Sequence, residues 1–408
     1  MSDTMSPFRF LCITGFFAIF SSTISKSPVL PLFAAHLGAD PSAVGMVAAV
    51  SALTGVLFSI PAGLMADRFG RRRMLIFSSL VFSTVPFLYL FVEQIWQLAL
   101  VRFLHGFGTA IFLPVGMAFV SDLFVKQRGE KMGWFSTATL LGRFCAPVVG
   151  GAILSAVTLL GDMRFEAVYV LCGAMGLVAL WMTLRMPVVK EHPTDSRTWS
   201  GIRKAFLTVL SSRTIIITSI VEAAILFAYG TFETFVPLSA QKAGISTTAI
   251  GIMLSAQVLA LALTKPVMGR FSDRHGRKPQ IFYGAVMGAL CISSFGLAPS
   301  FETMFAASIL LGLCLSIVTS ATSALIADAS RCEERGSAMG VLGSIMDIGH
   351  TTGPLVAGIV ASYFGFSYAF IAPGGLLLAV ALCFLFFMGK QTLSFGKKDA
   401  EAFGICSK

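Results

Sequence analysis

The apolar runs decide what this chain can fold into. Twelve stretches, each roughly 18 to 25 residues long, carry almost no charge. At 1.5 Å rise per residue, that is the length of helix that crosses a hydrocarbon core of about 30 Å. Composition agrees, because 56% of the 408 residues are hydrophobic and only 12% charged, against about 25% charged in a soluble domain. Lipid offers no water to exposed backbone, so each run has to satisfy its own hydrogen bonds as a helix. The 37 Phe and 39 Gly suit such helices, since small residues let neighbours approach closely. The expected fold class is an all-α integral membrane protein of twelve transmembrane helices in two six-helix bundles.

The expected spans are Phe8–Leu32, Ala43–Met65, Met74–Val92, Gln97–Val120, Met132–Val157 and Ala167–Met186 in the first half. Those in the second are Thr214–Leu238, Ala249–Gly269, Gln280–Ala298, Thr303–Ala327, Ser337–Ala361 and Ser367–Met388. Between them the text turns polar and gains two prolines, which reads as a linker with a short surface helix near Trp199–Leu210. The domains expected are residues 1–187, a linker over 188–213, residues 214–389, and a cytoplasmic tail over 390–408.

A net charge of +10 in a soluble protein would suggest nucleic acid, but its placement says otherwise. Of 30 Lys and Arg, 24 fall in one alternate set of loops and the two tails; Arg164 and Lys242 lie in the other set, and Lys26, Arg102, Arg143 and Lys265 lie inside spans. That is a positive-inside pattern with both termini cytoplasmic, as in a multi-pass protein of a plasma (bacterial inner) membrane. Six of eight cysteines sit in apolar runs and Cys332 and Cys406 in cytoplasmic segments, so reduced thiols are expected rather than disulfides. No small-residue cleavage site follows the first run, which reads as an uncleaved helix.

The chain is also a duplication. Gly63, Asp67, Arg68, Gly70 and Arg71 recur as Gly269, Asp273, Arg274, Gly276 and Arg277 at a constant offset of 206. Pro31-Leu32, Gly38, Gly45 and Gly106 recur at the same offset as Pro237-Leu238, Gly244, Gly251 and Gly312. Six helices per half make the repeats parallel, with a pathway expected along the interface of the halves.

Gly63-Leu64-Met65-Ala66-Asp67-Arg68-Phe69-Gly70-Arg71-Arg72 resembles the signature loop of the major facilitator superfamily, and the likeness extends over nearly the whole chain. A tight loop needs Gly70, and the basic run stays in the cytoplasm. The resemblance implies that Asp67 and Arg71 act in gating, with Arg68 and the second copy at Asp273, Gly276 and Arg277. Arg102-Phe103-Leu104-His105-Gly106-Phe107-Gly108 resembles the family's proton-transfer motif; alternatively Arg102, close to Trp96, snorkels to the outer interface. Gly133, Gly142, Ala146-Pro147 and Gly150-Gly151 resemble the fifth-helix signature of drug:proton antiporters, with Ala146 where that group has Gly. Gly142, Ala146 and Gly150 form a smooth face and Pro147 a bend. Gly340, Gly349, Gly353-Pro354 and Ala357-Gly358 repeat the pattern. The first copy implies export; duplicated packing alone would give the same letters.

Ionisable residues within spans are candidates for coupling. Glu222 lies about nine residues into the seventh span, roughly 13 Å deep, where charge is costly and a carboxyl group is a natural proton carrier. Asp347 and His350 share a helical face. Glu222 and Asp347 are the expected protonation sites, with Arg102, Arg143 and His350 as regulators; the alternative is static ion pairs holding helices together. Lys26 and Glu233, at adjacent pseudo-equivalent positions, read as an outer gate pair or as snorkelling side chains. Family geometry places Phe16, Phe20, Phe107, Phe112, Phe227, Tyr229 and Phe232 at a central cavity, whose aromatic walls suit an amphipathic solute. No phosphate loop, nucleophile elbow or metal set is present in the sequence, so no enzyme is expected and no cofactor beyond a proton gradient. The expected function is proton-coupled export of a small amphipathic compound by a monomer in the bilayer. Uptake of an organic solute is the first alternative; four buried cations against three acids leave room for an anionic one. A transporter-like receptor that moves nothing is the second.

Overall fold

The computed structural model describes residues 6–124, 127–156, 163–187, 212–297, 300–330 and 335–389, and within them the chain is helical with no strand. In order the helices are α1 (Pro7–Ile24), α2 (Val29–His36), α3 (Pro41–Phe69), α4 (Arg71–Leu88), α5 (Ile95–Leu123), α6 (Arg128–Ser155) and α7 (Arg164–Arg185). There follow α8 (Arg213–Lys242), α9 (Thr247–His275), α10 (Arg277–Ser294), α11 (Phe301–Ala329), α12 (Arg335–Phe364) and α13 (Phe366–Gly389). The expected surface helix near Trp199–Leu210 and the tail lie outside the described residues.

The first span differs from its expected form. It is broken at Ser25–Pro28 into α1 and α2, because Pro28 has no N–H to continue the ladder. Counted as one span, α1 and α2 bring the membrane-length helices among the described residues to twelve. Ten spans satisfy both length and hydropathy; α10 and α12 carry more polar residues, such as Gln280, Asp347 and His350. Most helices overrun their expected ends by a few residues, since a helix stops where backbone geometry stops it. Gly70 at φ 92° separates α3 from α4, and Gly276 at φ 92° separates α9 from α10. Gly38 and Gly244, at φ 83° and 78°, do the same for two other turns. Only glycine takes such angles without strain, which is why these four positions match across the repeat. Asp40 caps α3 by accepting from the Ala43 amide at 3.1 Å, and Ser300 caps α11 by accepting from the Thr303 amide at 3.3 Å.

By contact the chain divides into two units, Met1–Ser196 with Glu233–Val258, and Arg197–Phe232 with Leu259–Lys408. In the first, α1 packs on α6 and α7, α3 on α5, and α4 on α5 and α7. Its core is filled by Leu75, Phe82, Phe112, Val115, Phe119 and Phe135. In the second, α10 packs on α11 and α13, and α12 on α13. The outer faces carry large apolar side chains, among them Phe91, Trp96, Leu263, Tyr283 and Phe386. A surface of that kind is suited to lipid rather than water. This is a multi-pass integral membrane protein.

Candidate transport and gating sites

The signature loop builds a compact ion cluster in each repeat. Arg71 follows Gly70 at the start of α4; its Nε lies 2.6 Å from Asp122 Oδ2 near the end of α5, and its Nη2 lies 3.5 Å from Asp67 Oδ1. Arg277 repeats this, with Asp328 Oδ2 at 2.6 Å and Asp273 Oδ1 at 3.3 Å. The first cluster is better enclosed: the Arg71 side chain is 10% exposed and that of Arg277 22%. Arg72 donates to the carbonyls of Met186 (3.2 Å) and Leu184 (3.0 Å), closing the end of α7; Lys278 reaches the Met388 carbonyl in α13 at 3.5 Å. Arg68 is exposed over the Phe69 ring. A Cβ at Gly63 or Gly269 would meet nothing within 4 Å, so packing does not explain their recurrence.

Removing a guanidinium leaves two carboxylates facing each other, and the cost rises with burial. Arg71→Ala is expected to destabilise the protein by about 1–3 kcal/mol and Arg277→Ala by less than about 1 kcal/mol. Thermal unfolding of the two purified variants checks this; equal midpoints would contradict the ranking.

Arg102 does not snorkel. It is 2% exposed, and its Nη1 donates to Ser25 Oγ (3.2 Å) and to Tyr89 Oη (3.3 Å). His105 Nδ1 lies 3.4 Å from both hydroxyls, and Tyr89 stacks on Tyr169 at 4.1 Å. Ser25 is available because the first span breaks there. One residue on, Lys26 Nζ lies 2.7 Å from Glu233 Oε2, so these two form a pair rather than reaching separately for an interface.

The small-residue stripes are sites of backbone contact. A Cβ on Gly142 would collide with the Phe16 carbonyl and meet the Phe20 amide nitrogen at 3.0 Å, so α6 lies directly against α1. Ala146 is fully buried, and Gly150 faces Ile24 and Val29. Gly151 abuts the Thr247 carbonyl, and the Pro147 carbonyl abuts Gly251 in return. In the second unit Gly349 and Gly353 press on the carbonyls of Ala223 and Phe227, while a Cβ on Gly230 would meet the His350 carbonyl at 2.7 Å and the Pro354 ring at 3.0 Å. Arg143, beside Gly142, has an exposed side chain.

Glu222 is fully buried on α8. Its Oε2 accepts from Thr322 Oγ1 on α11, its Oε1 has no hydrogen-bond partner, and Lys265 on α9 is within electrostatic reach. Asp347 and His350 are half-buried, and the His350 ring stacks on Tyr229 at 5.6 Å. Of the aromatic residues expected at a cavity, Phe16 and Phe20 stack on each other at 6.2 Å and Phe107 packs on Phe58 at 4.5 Å. Phe227 is largely buried, Phe232 is buried against Phe295, and Phe112 belongs to the core of the first unit.

Sequence reasoning missed Asp122, Asp328, Thr322, Ser25 and Tyr89. Asp122 and Asp328 could have been found, since they stand 206 residues apart like the rest of the repeat. The hydroxyl partners carry no such mark.

Three relatives are similar over most of their lengths. The Staphyloferrin B transporter of Staphylococcus aureus is 27% identical over 394 residues, 93% of this chain and 92% of that protein. Multidrug resistance protein 1 of Bacillus subtilis is 25% identical over 86% of this chain and 88% of that protein. Multidrug resistance protein MdtG of Klebsiella pneumoniae is 24% identical over 92% and 90%. Among solved structures, a bacterial homologue of the human lysosomal transporter Spinster superposes with a TM-score of 0.80 at 16% identity, covering 95% of this chain and 97% of that one. The nucleoside transporter NupG superposes with a TM-score of 0.74 at 15% identity, covering 94% and 99%. The Major Facilitator Superfamily profile matches residues 11–243 and again 218–403. With the repeated loop, the twelve membrane-length helices and these matches in agreement, the chain belongs to the major facilitator superfamily, a family of membrane transporters and not of enzymes.

Proposed function

We propose that this transporter exports small amphipathic compounds in exchange for protons, by alternating access. Glu222 is the observation that carries the reading. It is a carboxyl group deep in a membrane span, where charge is costly, and its neighbour can serve both of its protonation states. The single proton of Thr322 Oγ1 goes either to Glu222 Oε2 or to the Val318 carbonyl, 2.9 Å away. An ionised Glu222 accepts it; a protonated Glu222 donates to the hydroxyl, which then turns to Val318.

Export is supported by the close seam of α1 and α6 at Gly142, whose letters resemble the antiporter signature, and by two relatives named for multidrug resistance. The working arrangement we propose is a monomer in the plasma membrane with both termini cytoplasmic, drawing on the proton gradient and needing no bound cofactor. Inverted vesicles energised to an acidic interior test the exchange: adding a panel of amphipathic compounds is expected to dissipate the pH gradient only in vesicles that contain the protein. Flux of a compound without proton movement would overturn the coupling, and no flux of any panel member would favour the receptor reading.

A further inference from the structure

Arg143 holds a charge that no described residue neutralises by an ion pair. It stands on α6 one residue past Gly142, the glycine seated on the backbone of Phe16 and Phe20, so its level is that of the middle of the span. Its side chain is exposed, and among the described residues no carboxylate lies within ion-pair distance of it. A guanidinium keeps its proton at any ordinary pH. An arginine at this depth therefore faces water or an anion rather than lipid.

Two further cations stand in the same unit. Lys26 holds Glu233 at 2.7 Å and is within electrostatic reach of both Arg102 and Arg143. Arg102 is 2% exposed, bonds only to the neutral hydroxyls of Ser25 and Tyr89, and has an Nε with no hydrogen-bond partner. Among the described residues, Glu233 is thus the one carboxylate paired with any of Lys26, Arg102 and Arg143. A surplus of positive charge inside a low-dielectric wall attracts an anion far more strongly than the same charges would in water.

We propose that the transported compound is an organic anion whose carboxylate binds at Arg143, with Lys26 as the second cation. This rests on the transport reading above and names its substrate class. The planar fork of a guanidinium matches a carboxylate with two parallel hydrogen bonds. Phe16, whose backbone packs against Gly142 beside Arg143, is half-buried and supplies an apolar surface for the remainder of the molecule, backed by the buried ring of Phe20 on which it stacks. Arg102 stays behind its hydroxyls and contributes long-range attraction rather than contact.

The test uses the purified full-length protein and matched probes: 1-naphthoate with 1-naphthamide and 1-naphthylmethylammonium, and salicylate with salicylamide. Thermal-shift titration is expected to show each acid binding at least about tenfold more tightly than its amide, on the scale of one charge-assisted hydrogen bond. Arg143→Gln is expected to erase that preference and Arg143→Lys to restore part of it, with the unliganded unfolding midpoint and elution profile confirming that each variant folds. The inference is overturned if no acid binds more tightly than its amide, if the ammonium probe binds best, or if Arg143→Gln keeps the preference. Proteoliposome flux of the same probes separates the two readings: movement of the ammonium or amide but not the acid overturns the anion inference alone. Flux of none of the probes, with acid binding intact at Arg143, overturns the transport reading instead.

Discussion

Glu222→Gln is expected to abolish substrate-driven proton movement while the protein remains folded and present at its normal level in the membrane. Glutamine fills the same space and can still accept from Thr322 through its amide oxygen, so the helix contact between α8 and α11 survives. It cannot carry a proton on and off. In inverted vesicles the dissipation of the pH gradient on adding substrate should fall about 100-fold or more, the scale on which removing a proton-transfer group acts elsewhere. Downhill substrate movement with no gradient imposed should persist, which separates lost coupling from lost binding. A variant that dissipates the gradient like the parent would remove Glu222 from the mechanism and leave Asp347 as the other acid to test. Thr322→Val supplies the intermediate case: it deletes the hydrogen bond that Thr322 gives the carboxyl group, and should slow exchange without stopping it.

Gly142→Val and Gly349→Val are each expected to lower stability by about 1–3 kcal/mol or more and to eliminate transport. The clash in both is with backbone: the Phe16 carbonyl for Gly142 and the Ala223 carbonyl for Gly349. A flexible side chain could swing aside, but a helix backbone relieves the overlap only by moving away, which opens gaps along the seams at Gly150 and Gly353 as well. In lipid such seams are held by close packing rather than by the hydrophobic effect, so nothing compensates for the lost contact. Gly133→Ala and Gly340→Ala are the controls, because a Cβ at either would meet nothing within 4 Å. Unfolding midpoints and proteoliposome flux of the four variants make the comparison. Wild-type behaviour of either valine variant would contradict the seam as described.

Much of the fold was legible because the signals that specify it are local. A run of about 20 apolar residues has to become a spanning helix whatever surrounds it. Gly70 and Gly276 mark turns by their own backbone freedom, and the repeat at 206 residues exposes the duplication. The break at Ser25–Pro28 was less legible, since Pro28 in an apolar run is as compatible with a kink as with an interruption. Asp67 with Arg71 and Lys26 with Glu233 were legible by both members, each being a charge in or beside a span. Arg102 and Glu222 are conspicuous in the same way, but their hydroxyl partners are not.

The sequence by itself therefore determined the number of spans, the two-fold repeat and the stretches that carry charge within spans, because hydropathy and glycine geometry act over a few neighbouring residues. Only the tertiary structure decided that Arg71 meets Asp122, that Arg102 rests on Ser25 and Tyr89, that Lys26 meets Glu233, and that Thr322 bonds Glu222 with Lys265 within electrostatic reach. Each of those choices depends on how far a helix is rotated about its axis and slid along its neighbour. A shift of one residue turns a side chain by about 100°, while a hydrogen bond tolerates only a few tenths of an ångström. Hydropathy is blind to that rotation, and packing between helices fixes it.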